Sequence, residues 1–454
     1  MSQHLRVSNR NSRYFEDGEG RTFLPVGLNL CFFRNEETAS EAEILEKYRF
    51  WMTRFAENGG NFLRVWLGVP FFNVMPERFG EYSETSLGHI RFVVALAEEL
   101  GIRIKFTLEH FRRILPASGD AELFPGAVSF HAPLYARKNG GPCDDIHSFF
   151  HSEAGRNAYL DKARCLAAAG IGNSPAVAAW ELWNELNATI PVSEIPEWSS
   201  FMLRELKQLF PDQMVLLNLG SFSGPAAYRE YDAMAALAEN EFMQAHRYLD
   251  PGAELDVCRG PMDRLCADAI RELCDRSPLP AILAETGAVE AHHARWSHLY
   301  EKDIDGTLLH DMLFAPFFAG SAGCGQPWHW DYLYIEKHCL YYHFARFARA
   351  VEGVDPVAGE FCPYHTETRE LRVYGLRGKI RSIAWCRDKA SDWASELEAG
   401  RRAKPLAGLR LPSEDARAAR CYLPWEDRFV EAEIRNGQVE LPPFSRSIVV
   451  YLER

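Results

Sequence analysis

The chain predicts an α/β fold: a (β/α)8 barrel over residues 1–355, followed by a small antiparallel β-sandwich over 356–454. Three observations carry this expectation. Short apolar runs alternate with longer amphipathic stretches from about residue 22 to about residue 351. Polar and acidic residues gather where the apolar runs end, which is where a barrel keeps its chemistry. Beyond about Glu360 the rhythm changes to short β-type runs between turn residues. At 454 residues the chain is also too long for one ordinary core, so two domains follow.

The first strand is expected over 22–30, ending near Asn29. Ser40 then opens a helix, with Glu43 three residues on in a capping-box pattern. Ile44, Tyr48, Trp51, Met52 and Phe55 keep helical spacing, and Asn58-Gly59-Gly60 stops it. The second strand, 61–67, carries Arg64 and Trp66. A helix over about 86–100 leads to the third strand, 102–108, with Glu109 and His110 at its end. The connection 111–150 is rich in Gly, Pro, His and aromatics, and loops of that length are usually functional. After a helix at 152–169 the fourth strand, 175–183, ends abruptly on Asn184 and Glu185.

The alternation continues with helix 195–210, strand 214–219, helix 226–238 and strand 241–246, which ends on His246. A helix at 261–275 precedes strand 280–284, which ends on Glu285, and a helix follows at 307–318. An eighth strand near 320–325 and a helix at 338–351 close the series. An open doubly wound sheet would want a Gly-rich phosphate loop after its first strand, and Gly27-Leu28-Asn29 is no such loop. In the C-terminal part, β-type runs fall at 370–374, 380–385, 419–422, 429–434, 439–441 and 447–452. Asn436-Gly437 is a hairpin signal between two of them. Trp385, Trp393, Trp425 and Phe444 supply apolar bulk for a domain interface as readily as for a sugar site; tight packing against the barrel is the favoured role.

Composition narrows the function. A net charge of −13 argues against nucleic acid or an anionic membrane as partner. No window approaches the roughly 20 apolar residues of a spanning helix, and the first residues lack the apolar core of a signal peptide. Eleven cysteines without a CxxC pair suit reduced thiols in a cytoplasm. Cys258, Cys266 and Cys274 recur at even intervals without a His at ligand spacing, and no His-x-His pair occurs, so neither a metal nor another cofactor is expected. Aromatics reach 13%, and several stand beside polar groups, as in the Gly325 to Asp331 segment; such clusters suit platforms for sugar rings. Phe71, Phe72, Phe111, Tyr135, Phe149 and Phe150 likewise suggest more than one sugar subsite.

Two glutamates at the ends of two separate apolar strands are what hydrolysis of a glycosidic bond requires. Glu285, with Arg64 and Tyr248 near it, would be the ionised partner. Glu185, expected against Trp180 and Trp183 with a second negative charge close by, would start protonated. The full set is Asn29, Arg64 with Trp66, His110, Asn184-Glu185, His246 with Tyr248, Glu285, and Trp328-His329-Trp330. In this strand order it resembles the active site of clan A glycoside hydrolases, the cellulase- and mannanase-like retaining enzymes. It is also similar to endo-β-1,3-glucanase-type enzymes that carry a C-terminal β-domain. The resemblance covers about residues 22–345, and its most specific parts are the Trp-Glu-Leu-Trp-Asn-Glu run ending at Glu185, His-Arg-Tyr from His246, and Ala-Glu-Thr-Gly around Glu285.

The resemblance implies Glu185 as acid/base, Glu285 as nucleophile and Asn184 on the sugar 2-hydroxyl. His110 and His246 would orient these groups, and Trp328 or Trp330 would form the platform under the reacting sugar. The partner it implies is a β-linked gluco- or manno-configured oligo- or polysaccharide, joined β-1,3 or β-1,4 and cleaved by double displacement. An exo-acting β-glycosidase is the alternative within the class. A non-catalytic carbohydrate-binding protein would usually have lost one carboxylate, and both are present. Oligomeric state has no signal in the sequence.

Overall fold

Seven parallel strands carry the N-terminal part of the computed structural model, which describes residues 4–34, 38–110, 134–137 and 140–454. They are β1 (Gly27–Asn29), β2 (Phe62–Trp66), β3 (Arg103–Glu109), β4 (Val177–Trp183), β5 (Met214–Leu216), β6 (Met243–Leu249) and β7 (Ala281–Ala288). The first five form one parallel sheet in sequence order, and β6 pairs with β7. The register sets Asn29 beside Arg64, Arg64 beside Lys105, and His246 beside Glu285. Phe111 and much of the 111–150 connection lie outside the described residues.

Backbone hydrogen bonds bridge the two sheets on both sides. Phe222 N–H donates to His246 O at 2.7 Å, and Glu241 N–H to Val215 O at 3.2 Å. On the other side the segment 321–328 touches both neighbours. Ala322 and Gln326 N–H donate to Ala281 and Leu283 O at 2.9 Å each, while Cys324 N–H donates to Pro25 O at 2.9 Å. The strand expected at 320–325 is therefore an irregular run. Close backbone approach explains this, since a Cβ on Gly323 would lie 2.2 Å from Pro25 O and one on Gly325 2.4 Å from Met312 O.

The expected first strand divides in two. Thr22–Phe23 pairs with Phe15–Glu16, and Phe15–Glu16 with Arg6–Val7, in a small antiparallel sheet. Pro25, which has no N–H for a ladder, separates it from β1. The sixth strand runs three residues past its expected end, so His246 and Tyr248 both stand on β6. Among the helices, Glu41–Glu57 has the anticipated capping box between Ser40 and Glu43. Helix Thr307–Phe318 is buried on every side, as expected for an element enclosed between a sheet and a second layer.

That second layer is the C-terminal part. Its strands are β8 (Cys362–Glu367), β9 (Leu371–Arg377), β10 (Arg381–Asp388), β11 (Ala418–Leu423), β12 (Arg428–Ala432) and β13 (Ser447–Glu453). They form an antiparallel sheet in the order β8-β9-β10-β13-β11-β12. Strand alternation divides its faces. Ile383, Trp385, Val449 and Tyr451 join the main core around Phe314, whereas Cys386, Ile448 and Val450 pack with Phe444 and with Leu411 and Val439 of a small antiparallel sheet formed by 410–412, 434–435 and 438–440. Asn436 and Gly437, at φ 51° and 73°, make the two-residue turn between paired Arg435 and Gln438.

Buried ion pairs cross from this sheet to the helices. Arg372 bonds Asp263 twice, at 2.5 and 2.8 Å, and Arg387 bonds Asp311 at 2.7 and 3.2 Å. Trp393 Nε1 donates to Gly260 O at 2.9 Å, and Trp425 stacks near His310 with centroids 4.7 Å apart. Phe444, by contrast, lies inside the C-terminal part. Among the described residues no helix is long and apolar enough to cross a membrane.

Candidate active site

Arg64 on β2 is fully buried, and its guanidinium is shared between two carboxylates. Nη1 pairs with Glu285 Oε1 on β7, and Nε lies 3.1 Å from Glu181 Oε1 on β4. Nη2 donates to Asn184 Oδ1 at 2.8 Å, and Asn29 Oδ1 stands 3.4 Å from Nη1. The Asn29 amide nitrogen donates to Ala284 O and Gln326 O at 3.0 and 3.1 Å. Asn29 thus ties β1 to β7 behind the site.

Glu181 is the centre of a polar floor. It accepts from Thr107 Oγ1 at 2.9 Å and Gln244 Nε2 at 2.8 Å, and Lys105 Nζ lies 3.0 Å away. Burial pushes its pKa up, but the charges of Arg64 and Lys105 outweigh that and hold it at about 2. Lys105 drops to about 8, chiefly because burial penalises its charge. Sequence reasoning misses this floor, although a signal exists: Arg64, Lys105, Glu181 and Gln244 are charged or amide residues inside otherwise apolar strands.

Glu285 Oε2 accepts from Tyr248 Oη at 2.6 Å. Burial, and then the charge of Glu285, raise the Tyr248 hydroxyl well above its ordinary pKa, so it remains a donor. Glu185 follows β4 on a left-handed backbone, φ 56° and ψ 57°, an arrangement that costs a non-glycine residue about 1 kcal/mol or more. Its N–H donates to Asn218 Oδ1 at 2.7 Å, which pins it.

Asn218 also decides the state of His246. With its oxygen engaged by Glu185 N–H, its amide nitrogen faces His246 Nε2 at 2.8 Å. Nε2 accepts, so in the neutral ring the proton sits on Nδ1. Nδ1 lies 2.8 Å from Glu185 Oε1 and 3.3 Å from Glu285 Oε2. One imidazole N–H therefore stands between the two carboxylates. Ligand-type atoms of these three residues lie within 4.8 Å of one another, the one such grouping among the described residues. A metal would need the Nδ1 lone pair, and this hydrogen-bond pattern places a proton there.

A cavity of about 530 Å³ opens over the pair, lined among others by Trp66, Asn184, Tyr248, Trp328 and His329. Trp328 faces this space. Trp330 is fully buried behind it, with ring centroids 5.3 Å from Trp328 and 5.2 Å from Phe32. His110 is buried too and stacks on Trp66 at 4.8 Å, so it backs the wall. Tyr300 Oη lies 2.9 Å from His329 Nδ1. Burial, followed by the nearby charges of Arg34 and His293, keeps His329 neutral.

Several expectations need correction. Trp180 and Trp183 do not face Glu185; Trp180 stacks on Phe210 at 4.2 Å, and Trp183 packs on Phe150 at 5.7 Å. Glu185 stands two residues beyond the strand, where the chain has already turned. Phe71, Phe72, Tyr135, Phe149 and Phe150 are buried core residues and do not line this cavity. The rim instead uses a loop without a sequence signal, from Val289 to Trp296, which bridge each other. Within it His292 and His293 have φ of 58° and 59°. His292 N–H is fixed by Asp250 Oδ1 at 2.9 Å, and His293 meets the Tyr248 ring edge-on at 4.5 Å. At the foot of the loop His298 bonds Glu290 at 2.7 Å and Glu398 of the C-terminal part at 2.6 Å.

Parallel strands with paired glutamates after β4 and on β7 point to the same class as the sequence motifs. The likeness is to the cellulase- and mannanase-like glycoside hydrolases of clan A. No protein-family model matches the chain. A mannan endo-1,4-β-mannosidase of Cryptopygus antarcticus is 25% identical over 195 residues, 42% of this chain and 44% of that protein. The chain thus matches less than half the length of that relative. An endo-β-1,4-mannanase from Thermotoga petrophila superposes with a TM-score of 0.54 at 14% identity, covering 95% of this chain and 98% of that one. An exo-β-1,4-mannosidase from an Opitutaceae bacterium gives 0.52 at 18% identity, over 75% of this chain and 61% of that one. At such identities the solved structures speak for the fold.

Proposed function

We propose that the chain is a retaining β-glycoside hydrolase acting on β-linked manno-configured oligosaccharides, with gluco-configured chains as the nearest competitors. Glu285 is the nucleophile and Glu185 the acid/base. The observation that carries this is the single imidazole N–H of His246, 2.8 Å from one carboxylate and 3.3 Å from the other. Retaining enzymes hold the two groups about 5–5.5 Å apart, whereas inverting ones leave about 6.5–9.5 Å for a water.

Glu285 attacks the anomeric carbon, and the bond to the leaving oxygen breaks as Glu185 gives that oxygen its proton. The product is a glycosyl ester on Glu285. Glu185, now ionised, takes a proton from water, whose oxygen attacks the anomeric carbon and releases Glu285 as carboxylate. Arg64 and Tyr248 stabilise the negative charge of Glu285 before and after this cycle. Asn184 addresses the 2-hydroxyl, and Trp328 is the platform under the reacting sugar. In this reading the segment 321–328 acts as the eighth member of a closed ring; its hydrogen bonds to β7 and to Pro25 support that. The catalytic unit spans 1–355, and 356–454 braces it. No cofactor enters, and eleven unpaired cysteines suit a reducing compartment.

Incubation with 2-deoxy-2-fluoro-β-mannosyl fluoride and peptide mass spectrometry test the reading. The label is expected on Glu285, and the first-formed sugar product is expected as the β-anomer by NMR. An α-anomer formed first, or a label on another carboxylate, overturns the assignment.

A further inference from the structure

The cavity has a basic rim on one side. Three chain segments that neighbour one another through backbone hydrogen bonds contribute to it: the loop after β7, the segment 321–328 with His329 just beyond it, and the chain after β1. They bring Arg295, Arg34 and the uncharged His329 to the cavity wall, and the first two segments adjoin β7, the strand of Glu285. Among the described residues, the acids lining this cavity are Glu185 and Glu285, in a chain whose net charge is −13.

The two arginines are held differently. Arg34 Nε donates to the buried carboxylate of Asp331 at 2.6 Å, and its guanidinium stands 5.3 Å from the centroid of the Phe32 ring. It is a fixed charge, oriented before any ligand arrives. Arg295 is exposed, and its side chain has no hydrogen bond or ion pair among the described residues. Its backbone is nevertheless pinned, because Arg295 O accepts from Glu290 N–H at 2.9 Å and the Val289–Trp296 bridge closes the loop. Two consecutive left-handed histidines and these bonds thus fix the Arg295 backbone at the rim of the cavity.

We propose that the sugar on the Glu285 side carries an anionic substituent, and that Arg295, assisted by Arg34, selects it. A neutral hexose offers hydroxyls, which neutral side chains bind as well. A carboxylate, sulfate or phosphate ester forms charge-assisted hydrogen bonds with a guanidinium that a neutral sugar cannot form. The inference rests on the glycosidase reading above and deepens it by naming the substrate class.

The test sets the kcat/KM values for para-nitrophenyl β-mannoside and β-glucoside against those for the matching uronides, 6-sulfates and 6-phosphates. The wild type should favour one anionic series over its neutral parent by about 10- to 100-fold. Which series wins separates the carboxylate from the esters. Arg295→Ala should lower the anionic-to-neutral ratio by about tenfold or more, and Arg295→Glu should reverse the preference. Added salt should erode it in the wild type. Turnover of neutral glycosides without any gain for the anionic ones overturns this inference alone. Absence of turnover on every aryl glycoside overturns the glycosidase reading together with it.

Discussion

Asp311 and Glu285 are both buried carboxylates bonded to an arginine, yet their surroundings differ. At the seam with the C-terminal sheet, Arg387 grips Asp311 with two hydrogen bonds, and Arg372 does the same to Asp263. Each cation there has its own acid. Below the cavity, one arginine serves both Glu181 and Glu285, and Glu285 keeps a 5% exposed edge on the cavity. The seam is a closed set of charges that braces two layers. The site leaves an acid partly open to the cavity, bonded to Arg64 and Tyr248. Burial and pairing alone do not separate structural from chemical charges; an acid that keeps an edge on a cavity does.

The sharpest way to break this comparison is to neutralise the acid on the cavity. Glu285→Gln should cut turnover by more than about 10⁴-fold while leaving sugar binding, read by calorimetry, near wild type. Retention of more than about a hundredth of the activity would place the nucleophile elsewhere. Glu185→Ala should cost roughly 10²–10⁴-fold on natural glycosides and far less on dinitrophenyl glycosides, whose leaving groups need no proton. Azide should restore rate and yield a β-glycosyl azide; an α-azide, or equal damage to both substrates, would remove Glu185 from its role.

At the seam the expected loss is of stability. Arg387→Ala strands Asp311 in the interior and should cost roughly 3–5 kcal/mol in urea unfolding, with activity per folded molecule preserved. A small shift there, or a kinetic defect without one, would erase the contrast. The pH dependence of stability sharpens it further. Glu181 has a folded pKa of about 2, below its unfolded value, so its contribution is present above the ordinary carboxylate range and is lost as pH falls toward 2. Urea midpoints measured from pH 6 to pH 2 should decline, and Glu181→Gln should flatten part of that decline. The smallest effect concerns chain length. If several subsites exist, kcat/KM should rise a few-fold per sugar from two to about four units; a flat response with single-sugar release marks an exo-acting pocket.

The residues at strand ends are legible in the sequence because a carboxylate closing an apolar run is costly unless used. Glu185 and Glu285 stand out on that ground, and the structure brings them together with His246 and Arg64. Glu181 lies inside the same Trp-Glu-Leu-Trp-Asn-Glu run, where a charged residue among apolar ones is a signal that is easily read as ordinary alternation. Only the register, which sets Arg64 against Lys105 and brings Glu181 beneath both, makes a layer of it. Aromatic loops read as sugar platforms in the sequence, but Phe71 and Phe149 are apolar enough to be drawn into the core. The eighth strand fails for a local reason: glycines suit both a strand end and a run squeezed between two backbones. Arg295 has no signal at all, because its position depends on how a loop folds back over a cavity.

His298 gives the rim loop a second foothold outside β7, the strand it follows. Hydrogen bonds to Glu290 and then to Glu398 raise its pKa, so both ring nitrogens act as donors in its charged form. Glu398 comes from a single π-helical turn, Ala394–Glu398, in the C-terminal part. The loop is therefore not a portable cassette. Transplanted onto another scaffold, 289–298 would arrive with one end moored and the other adrift. A recombination that respects this protein would carry 394–398 along with the loop it steadies.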